Sequence, residues 1–444
     1  MASDPLTPIR DRFAGLKALQ RPLTTTPVTR VVVPIGDAEE ESAAIFAAGS
    51  QRLATVLGAR VNSNCHGDHL SLHCWQNACS PCAPTEAAMR LFAPEAHEDA
   101  LDLQRWLFLD TETTGLSGGT GTYPFLVGLA WWEGGGLKIE QLFMREYSEE
   151  RSLLAALAER VEERPVLVTF NGKSFDWPLL ETRYRMTRKL AVPTPKAHLD
   201  FLHPARNLWR LRLGSVKLAQ LERHVLAWDR GEDLPSGQIP RIYQDFVRCG
   251  YADPLVPVFL HNQMDLRGLS ALASRILTLL AEDESSASDG LELYGLSRMC
   301  ERRGETSRAR KLYEQTLGSE LPRSEDRVAR ASLARLAKRD GDWARARELW
   351  ESLLGNSREG YEAYEQLAVY FEHHARQPQR ALSITREALA QLRRANQTRM
   401  IAAVIYRSTK NRFEHRRIRL ERKLGQIPSM MSLEHGEDPP RSLF

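Results

Sequence analysis

Two acids, Asp110 and Glu112, close the apolar run Leu107-Phe108-Leu109. In a strand, residues i and i+2 share a face, so both carboxylates point the same way. Convergent acids at the end of a buried run are costly unless positive charge meets them. A hard divalent cation is one answer; a pair of solvated acids at a strand end is the plain alternative. A second apolar run, Val166–Phe170, ends in the turn signal Asn171-Gly172 and then Asp176. Further on, His261 and Asp265 lie four residues apart in a segment of helical spacing, and so share a helix face. Four carboxylates and one histidine on three elements suit two oxygen-loving metals and a group that positions or deprotonates a water. A helix histidine bonded to a neighbour is the alternative for His261.

These residues need a scaffold. Trp106–Asp110, Phe125–Trp132 and Leu137–Tyr147 are strand candidates separated by Gly-rich turns. Glu149–Glu162 has helical apolar spacing, Val166–Phe170 is a fourth strand, and Phe175–Arg188 and Leu255–Leu280 are further helices. That order predicts an α/β domain, a mixed sheet flanked by helices, over residues 101–282. Residues 1–100 read as an N-terminal extension packed on it. It contains a short helical pattern at Ile9–Leu19, a strand at Val31–Ile35 and a helix at Glu41–Leu57.

Residues 283–290 are polar and small, the clearest linker. An all-helical region follows over 291–424. In it Ala309, Ala346 and Ala381 recur in similar contexts at spacings of 37 and 35 residues. That period resembles tetratricopeptide repeats, whose helix pairs bury their apolar faces by stacking and dock protein partners. An irregular helical bundle is the other reading. The last helical pattern, Gln397–Lys423, carries nine basic residues against two acids. It is either a solvated capping helix or an auxiliary nucleic-acid contact. Residues 425–444 read as a disordered tail.

Asp110-Thr-Glu112-Thr-Thr-Gly115, Asn171-(x3)-Phe175-Asp176 and His261-(x3)-Asp265 together resemble the three motifs of the DEDD exonucleases, the DnaQ-like branch of the ribonuclease-H-like fold. Within that group the chain is similar to the bacterial YprB-type proteins. This likeness takes in Gly115–Gly121, His198-Leu199-Asp200 and Leu234–Pro240, and covers about residues 100–282. One departure stands out: three residues separate His261 from Asp265. The histidine branch usually has four, and three is the spacing of the tyrosine branch.

The resemblance implies a ribonuclease-H-like fold and a metal-dependent 3′–5′ exonuclease acting on single-stranded DNA or RNA. Two Mg²⁺ or Mn²⁺ ions would be held by Asp110, Glu112, Asp176 and Asp265. Asp110 would bridge them, Glu112 and Asp265 would help hold the ion that binds the attacking water, and Asp176 would serve the second. His261 would orient or deprotonate the nucleophile, a task suited to an imidazole neutral near pH 7. Candidate substrate contacts are Thr113, Gly115 and Gly118 in and after the first motif, and Asn171, Lys173 and Phe175 in the second. Phe175 and Trp177 either stack on a base or pack in the core, and Lys173 either meets a phosphate or faces solvent. A non-catalytic nucleic-acid-binding or scaffold protein, working through its helical repeats, is the competing expectation.

Cys65, Cys74, Cys79 and Cys82 crowd together with interspersed histidines. They are either a zinc site, which needs four N/S ligands, or unliganded thiols. No apolar stretch approaches the about 20 residues that span a bilayer. Met1–Leu23 lacks an apolar segment of the secretory kind. A cytoplasmic protein with no membrane partner is expected. The net charge of +3 means that any attraction to nucleic acid must come from local patches.

Overall fold

The structure, a computed structural model, describes residues 35–77, 83–115, 119–187, 190–281 and 289–426. The expected helix at 9–19, the strand residues 31–34, Gly118, Cys79, Cys82, most of the expected linker and nearly all of the expected tail lie outside these.

A seven-stranded mixed sheet forms the centre. In chain order its strands are β1 (Arg60–Asn64), β2 (Gly67–Asn77), β3 (Trp106–Thr113), β4 (Pro124–Glu133), β5 (Gly136–Phe143), β6 (Val166–Thr169) and β7 (Ala197–Asp200). Their spatial order is β1-β2-β5-β4-β3-β6-β7. The first five pair antiparallel, and β3-β6-β7 pair parallel. The expected strand and helix order over 101–282 is present, with β3 running three residues further than Asp110.

The sheet also runs through the boundary expected at residue 100, because β1 and β2 extend it beyond β5. Residues 60–77 are therefore part of the layer that carries Asp110, not an extension packed on it. Helix α1 (Ile35–Leu57) begins with Ile35, which the sequence pattern had placed in a strand.

Both faces of β3 are covered, as its unbroken apolar run requires. Trp106 and Phe108 enter one core, Leu107 and Leu109 the other. Between β2 and β3 lies α2 (Glu86–Phe92); α3 (Glu150–Glu163) follows β5, α4 (Asp176–Met186) follows β6 and α5 (Leu202–Leu213) follows β7. Then come α6 (Leu218–His224), α7 (Ile239–Cys249) and α8 (Leu255–Leu280). Helix α8 is apolar on most sides because it serves both cores. Leu255, Val258 and Phe259 pack in one, and Leu266, Leu269, Leu272 and Ile276 in the other. His261, Asn262 and Asp265 fall where it passes between them.

From Asp289 onward the described chain is helical: α9 (Gly290–Arg302), α10 (Thr306–Leu317), α11 (Arg323–Arg339), α12 (Trp343–Leu353), α13 (Arg358–Val369), α14 (Pro378–Gln397) and α15 (Ala403–Lys423). Ala309, Ala346 and Ala381, the recurrent alanines, are fully buried near the starts of α10, α12 and α14. One core continues without a break from the sheet through α5 and α8 into α9, α10 and α11.

The four-cysteine zinc reading is corrected by β2. Cys65 sits exposed in the β1–β2 turn, and Cys74 lies opposite Ile139 near the other end of β2. The seven residues from Gly67 to Cys74 span roughly 23 Å at about 3.3 Å each. Two thiolates on one zinc, each about 2.3 Å from it, must lie far closer than that.

Candidate active site

Strand β3 brings Asp110 and Glu112 to one face, as their spacing predicts. Asp110 stands opposite Gly128 of β4. A Cβ at Gly128 would fall 2.1 Å from Asn262 Oδ1, so the missing side chain is what admits α8 to the sheet here. Asn262 Nδ2 then donates to Asp110 Oδ2 at 2.8 Å. A buried amide relay holds Asn262 in place: Gln141 Nε2 donates to Asn262 Oδ1 at 2.8 Å, and Gln263 Nε2 to Gln141 Oε1 at 2.7 Å.

One α8 face supplies His261 and Asp265, with His261 Nε2 3.5 Å from Asp265 Oδ2. Glu112, His261 and Asp265 each offer a ligand atom, and all three atoms lie within 4.8 Å of one another. The three-residue spacing therefore keeps the histidine with the acids, since one helical turn is 3.6 residues.

The loop before α7 adds residues that the sequence reading missed. Asp233 Oδ1 lies 2.6 Å from His261 Nδ1. Arg230, buried to 9% exposure, donates to Asp265 Oδ1 at 2.5 Å, to Asp233 Oδ2 at 3.2 Å and to Glu222 Oε1 at 2.6 Å. Asp233 directly precedes the Leu234–Pro240 segment, yet no spacing in the sequence ties it to His261.

Asp176 opens α4 and is buried, accepting from Thr111 Oγ1 at 2.5 Å. The turn before it is braced from β7. Asp200 Oδ1 accepts from the Asn171 N–H at 2.8 Å, and its Oδ2 from the Lys173 N–H at 3.1 Å. Asn171 itself takes the left-handed conformation at φ 72°, which asparagine tolerates better than most residues.

The candidate substrate contacts divide. Asn171 and Lys173 are exposed beside Asp176, and Phe175 and Gly115 are half-buried. Thr113 is buried and donates to the Gly115 carbonyl at 2.7 Å, so it shapes the turn. Trp177 is buried and donates to Glu181, which takes it away from any base.

Electrostatics tie the acids into one site. Burial, then the charges of Asp265, Glu112 and Asp176, pushes the Asp110 carboxyl well above the usual range. Burial also pushes Glu112 up to about 8; His261 opposes this, while Asp265, Asp176 and Asp233 add to it. Asp176 rises to about 6, mainly through burial, against the Thr111 hydrogen bond. Burial works against the charge on His261, but the Asp233 hydrogen bond and the charges of Asp265 and Glu112 outweigh it. The imidazole therefore titrates at about 9. In the metal-free protein these acids thus favour the charged imidazole, where the sequence reading expected one neutral near pH 7. Hard oxygen donors with more negative charge than Arg230 and His261 neutralise fit divalent cations such as Mg²⁺ or Mn²⁺.

The RNase_H superfamily matches residues 107–277, from β3 to near the end of α8. The uncharacterized protein YprB of Bacillus subtilis (strain 168) is 30% identical over 284 residues, 64% of this chain and 68% of that protein. The chain belongs to the YprB family. All of the residues clustered above, from Asp110 to Asp265, fall within the stretch matched to the superfamily. This YprB-family chain also has a loose likeness to the family B DNA polymerase of Pyrobaculum calidifontis: TM-score 0.32, 17% identity, over 45% of this chain and 29% of the polymerase. At that score the likeness carries no weight for function. No helix among the described residues is long and apolar enough to cross a membrane.

Proposed function

We propose that this chain is a metal-dependent 3′–5′ exonuclease that hydrolyses phosphodiester bonds of single-stranded nucleic acid. The observation that carries the proposal is the convergence of Glu112, His261 and Asp265 within 4.8 Å, with Asp265, Glu112 and Asp176 all close enough to raise the proton affinity of Asp110. Burying so many acids together is costly for a merely structural purpose. Asp110, Glu112, Asp176 and Asp265 would hold two divalent cations. When bound, such cations supply charge stabilisation at the leaving oxygen and a more acidic water.

The chain's own groups do the rest. Asp233 fixes Nδ1 of His261 and so aims Nε2 at the carboxylates. With the charge of Glu112 and Asp265 taken up by bound cations, the ring would lose its extra proton and Nε2 could accept one from the attacking water. Asn262 orients Asp110, and Thr111 orients Asp176. Asn171, Lys173, Phe175 and Gly115 would contact the strand beside Asp176, and Gly118, outside the described residues, keeps the same assignment from the sequence alone. The helical region, with its recurrent alanines, is assigned to tetratricopeptide-like docking of a protein partner.

A non-catalytic nucleic-acid-binding or scaffold protein is the second reading. The observation that favours it is Arg230, whose guanidinium already takes one oxygen of Asp265. Incubating 5′-labelled single-stranded DNA and RNA with Mg²⁺ or Mn²⁺, beside an EDTA control, separates the two. A metal-dependent ladder shortening from the 3′ end supports the exonuclease. Intact strands bound by folded protein support the second reading.

A further inference from the structure

The basic residues of this chain are not distributed as their numbers suggest. The terminal helix α15 is the most basic segment, yet most of its charge is spent within the fold. Arg412 and Arg416 pair with Glu365. Arg416, Arg419 and Lys423 surround Glu372, and Arg417 pairs with Glu414 and Glu421. Those pairs make α15 a capping helix.

The seam between α5 and α9 is different. The two helices cross closely at Gly295, where a Cβ would stand 2.5 Å from the Asn207 carbonyl oxygen. Arg206 and Arg210 of α5 and Arg298 and Arg302 of α9 line a cleft of about 310 Å³ on this seam. A neighbouring cleft of about 470 Å³ shares Asn207 and Arg302 with it, and adds His203 and Arg303.

All six of these basic side chains are exposed. Among the described residues none of them makes an ion pair. Arg298 lies over the Tyr294 ring, and Arg303 donates to the Leu91 carbonyl. The acids nearby are mostly engaged elsewhere, and Glu301 offsets Arg302 only in part. Helix α5 has no acidic residue. On α9, Glu292 is buried against Trp209 and Arg275, and Glu301 turns to Tyr313 and Arg335. Burial and the charges of Arg298 and Arg303 hold Arg302 below the usual guanidinium range.

The cleft is also tied to the catalytic loop. Asp200, which braces Asn171 and Lys173, accepts from the Leu202 N–H at 3.0 Å and so fixes the first turn of α5. His203, Arg206 and Arg210 follow on one face of that helix, over roughly 10 Å of axis at about 1.5 Å per residue. Four guanidinium groups without an ion-pair partner among the described residues, in an open cleft, suit a polyanion with regularly spaced phosphates.

We propose that the α5–α9 cleft anchors the phosphate backbone of the single-stranded nucleic acid, behind the end presented to Asp176. This rests on the exonuclease reading for the identity of the polyanion.

The test is fluorescence anisotropy with the full chain in EDTA, where no cleavage is needed. A 5′-labelled single strand of DNA or RNA is titrated over a series of salt concentrations. Arg210→Ala/Arg302→Ala is compared with wild type and with Arg412→Ala/Arg417→Ala on α15. Both pairs are surface changes, and circular dichroism checks the fold. Each phosphate contact on a single strand contributes about 0.7 to the log–log salt slope, so the cleft variant should flatten it by about 1.4 and bind roughly 10–30-fold more weakly at about 0.1 M salt. The α15 variant should match wild type. Equal affinity and slope in the cleft variant, with wild type binding well, would overturn the cleft alone. Wild-type binding to neither polymer would overturn the nucleic-acid assignment. Loss of poly-glutamate binding in the cleft variant, with strand binding unchanged, would assign the cleft to an acidic protein segment instead. Cleavage measured in parallel with Mg²⁺ keeps these outcomes distinct from failure of the exonuclease reading.

Discussion

Asp233 Oδ1 lies 2.6 Å from Nδ1 of His261, while Nε2 of the same ring faces Asp265 and Glu112. One carboxylate thus fixes the orientation of an imidazole whose other nitrogen enters the acidic cluster. Outer partners of this kind typically change activity or metal affinity by about 10–100-fold when removed. Asp233→Asn is expected to lower cleavage by that order. It should also bring the His261 titration down from about 9, because its strongest opponent of burial is gone. NMR titration of the His261 ring checks this; an unmoved titration would show that Asp233 does not govern it.

Arg230 joins Glu222 of α6 to Asp265 of α8 in a buried network. Replacing one partner of such a pair strands the other charge and costs about 3–5 kcal/mol. Arg230→Met should therefore lower stability to urea by that amount, with Glu222, 1% exposed, left without its guanidinium. A change below about 1 kcal/mol, the scale of an exposed pair, would mean that the network does not bind α6 to α8.

Gly128→Ala tests the packing that lets Asn262 reach Asp110. The added methyl has no room, since its position lies 2.1 Å from Asn262 Oδ1. Overpacking of this kind costs about 1–3 kcal/mol. Cleavage should fall together with stability, because the atom that must move belongs to the residue orienting Asp110. Wild-type activity in a destabilised variant would separate Asn262 from the site's function.

The pH dependence of the metal-free protein follows from the raised proton affinities. Asp176 titrates at about 6 and Glu112 at about 8, above their ordinary 3.8 and 4.5. A carboxyl raised by folding contributes stability that is fully present below its unfolded value and is lost as pH rises through the folded one. His261, raised from 6.5 to about 9, acts in the same direction over its own window. In EDTA the melting temperature should therefore fall between about pH 5 and 9. Added Mg²⁺ should restore more of it at pH 8 than at pH 5.5, where it competes with bound protons. Melts whose Mg²⁺ effect is the same at both pH values would contradict the metal assignment.

Much of this was legible in the chain. Helix Leu255–Leu280 is found on its expected bounds, because a long apolar pattern fixes a helix well. Asp110 and Glu112 share a face through the simple period of a strand. Other features had no local signal. Strand β2 carries His69, His73 and Cys74, and these residues suggested metal chemistry where the backbone is pairing with β1 and β5. Arg230 and Asp233 meet His261 and Asp265 across some thirty residues of chain, through folding alone. The charge state of His261 depends on three acids from three segments, so no reading of the residue by itself could assign it.

The decisive comparison is wild type against Asp110→Asn on a 5′-labelled single strand with Mg²⁺ or Mn²⁺, with circular dichroism and thermal melts on both proteins. The prediction is a metal-dependent ladder from the 3′ end for wild type and none for the variant, both folded. A folded Asp110→Asn protein that cleaves as wild type does would contradict the site proposed here.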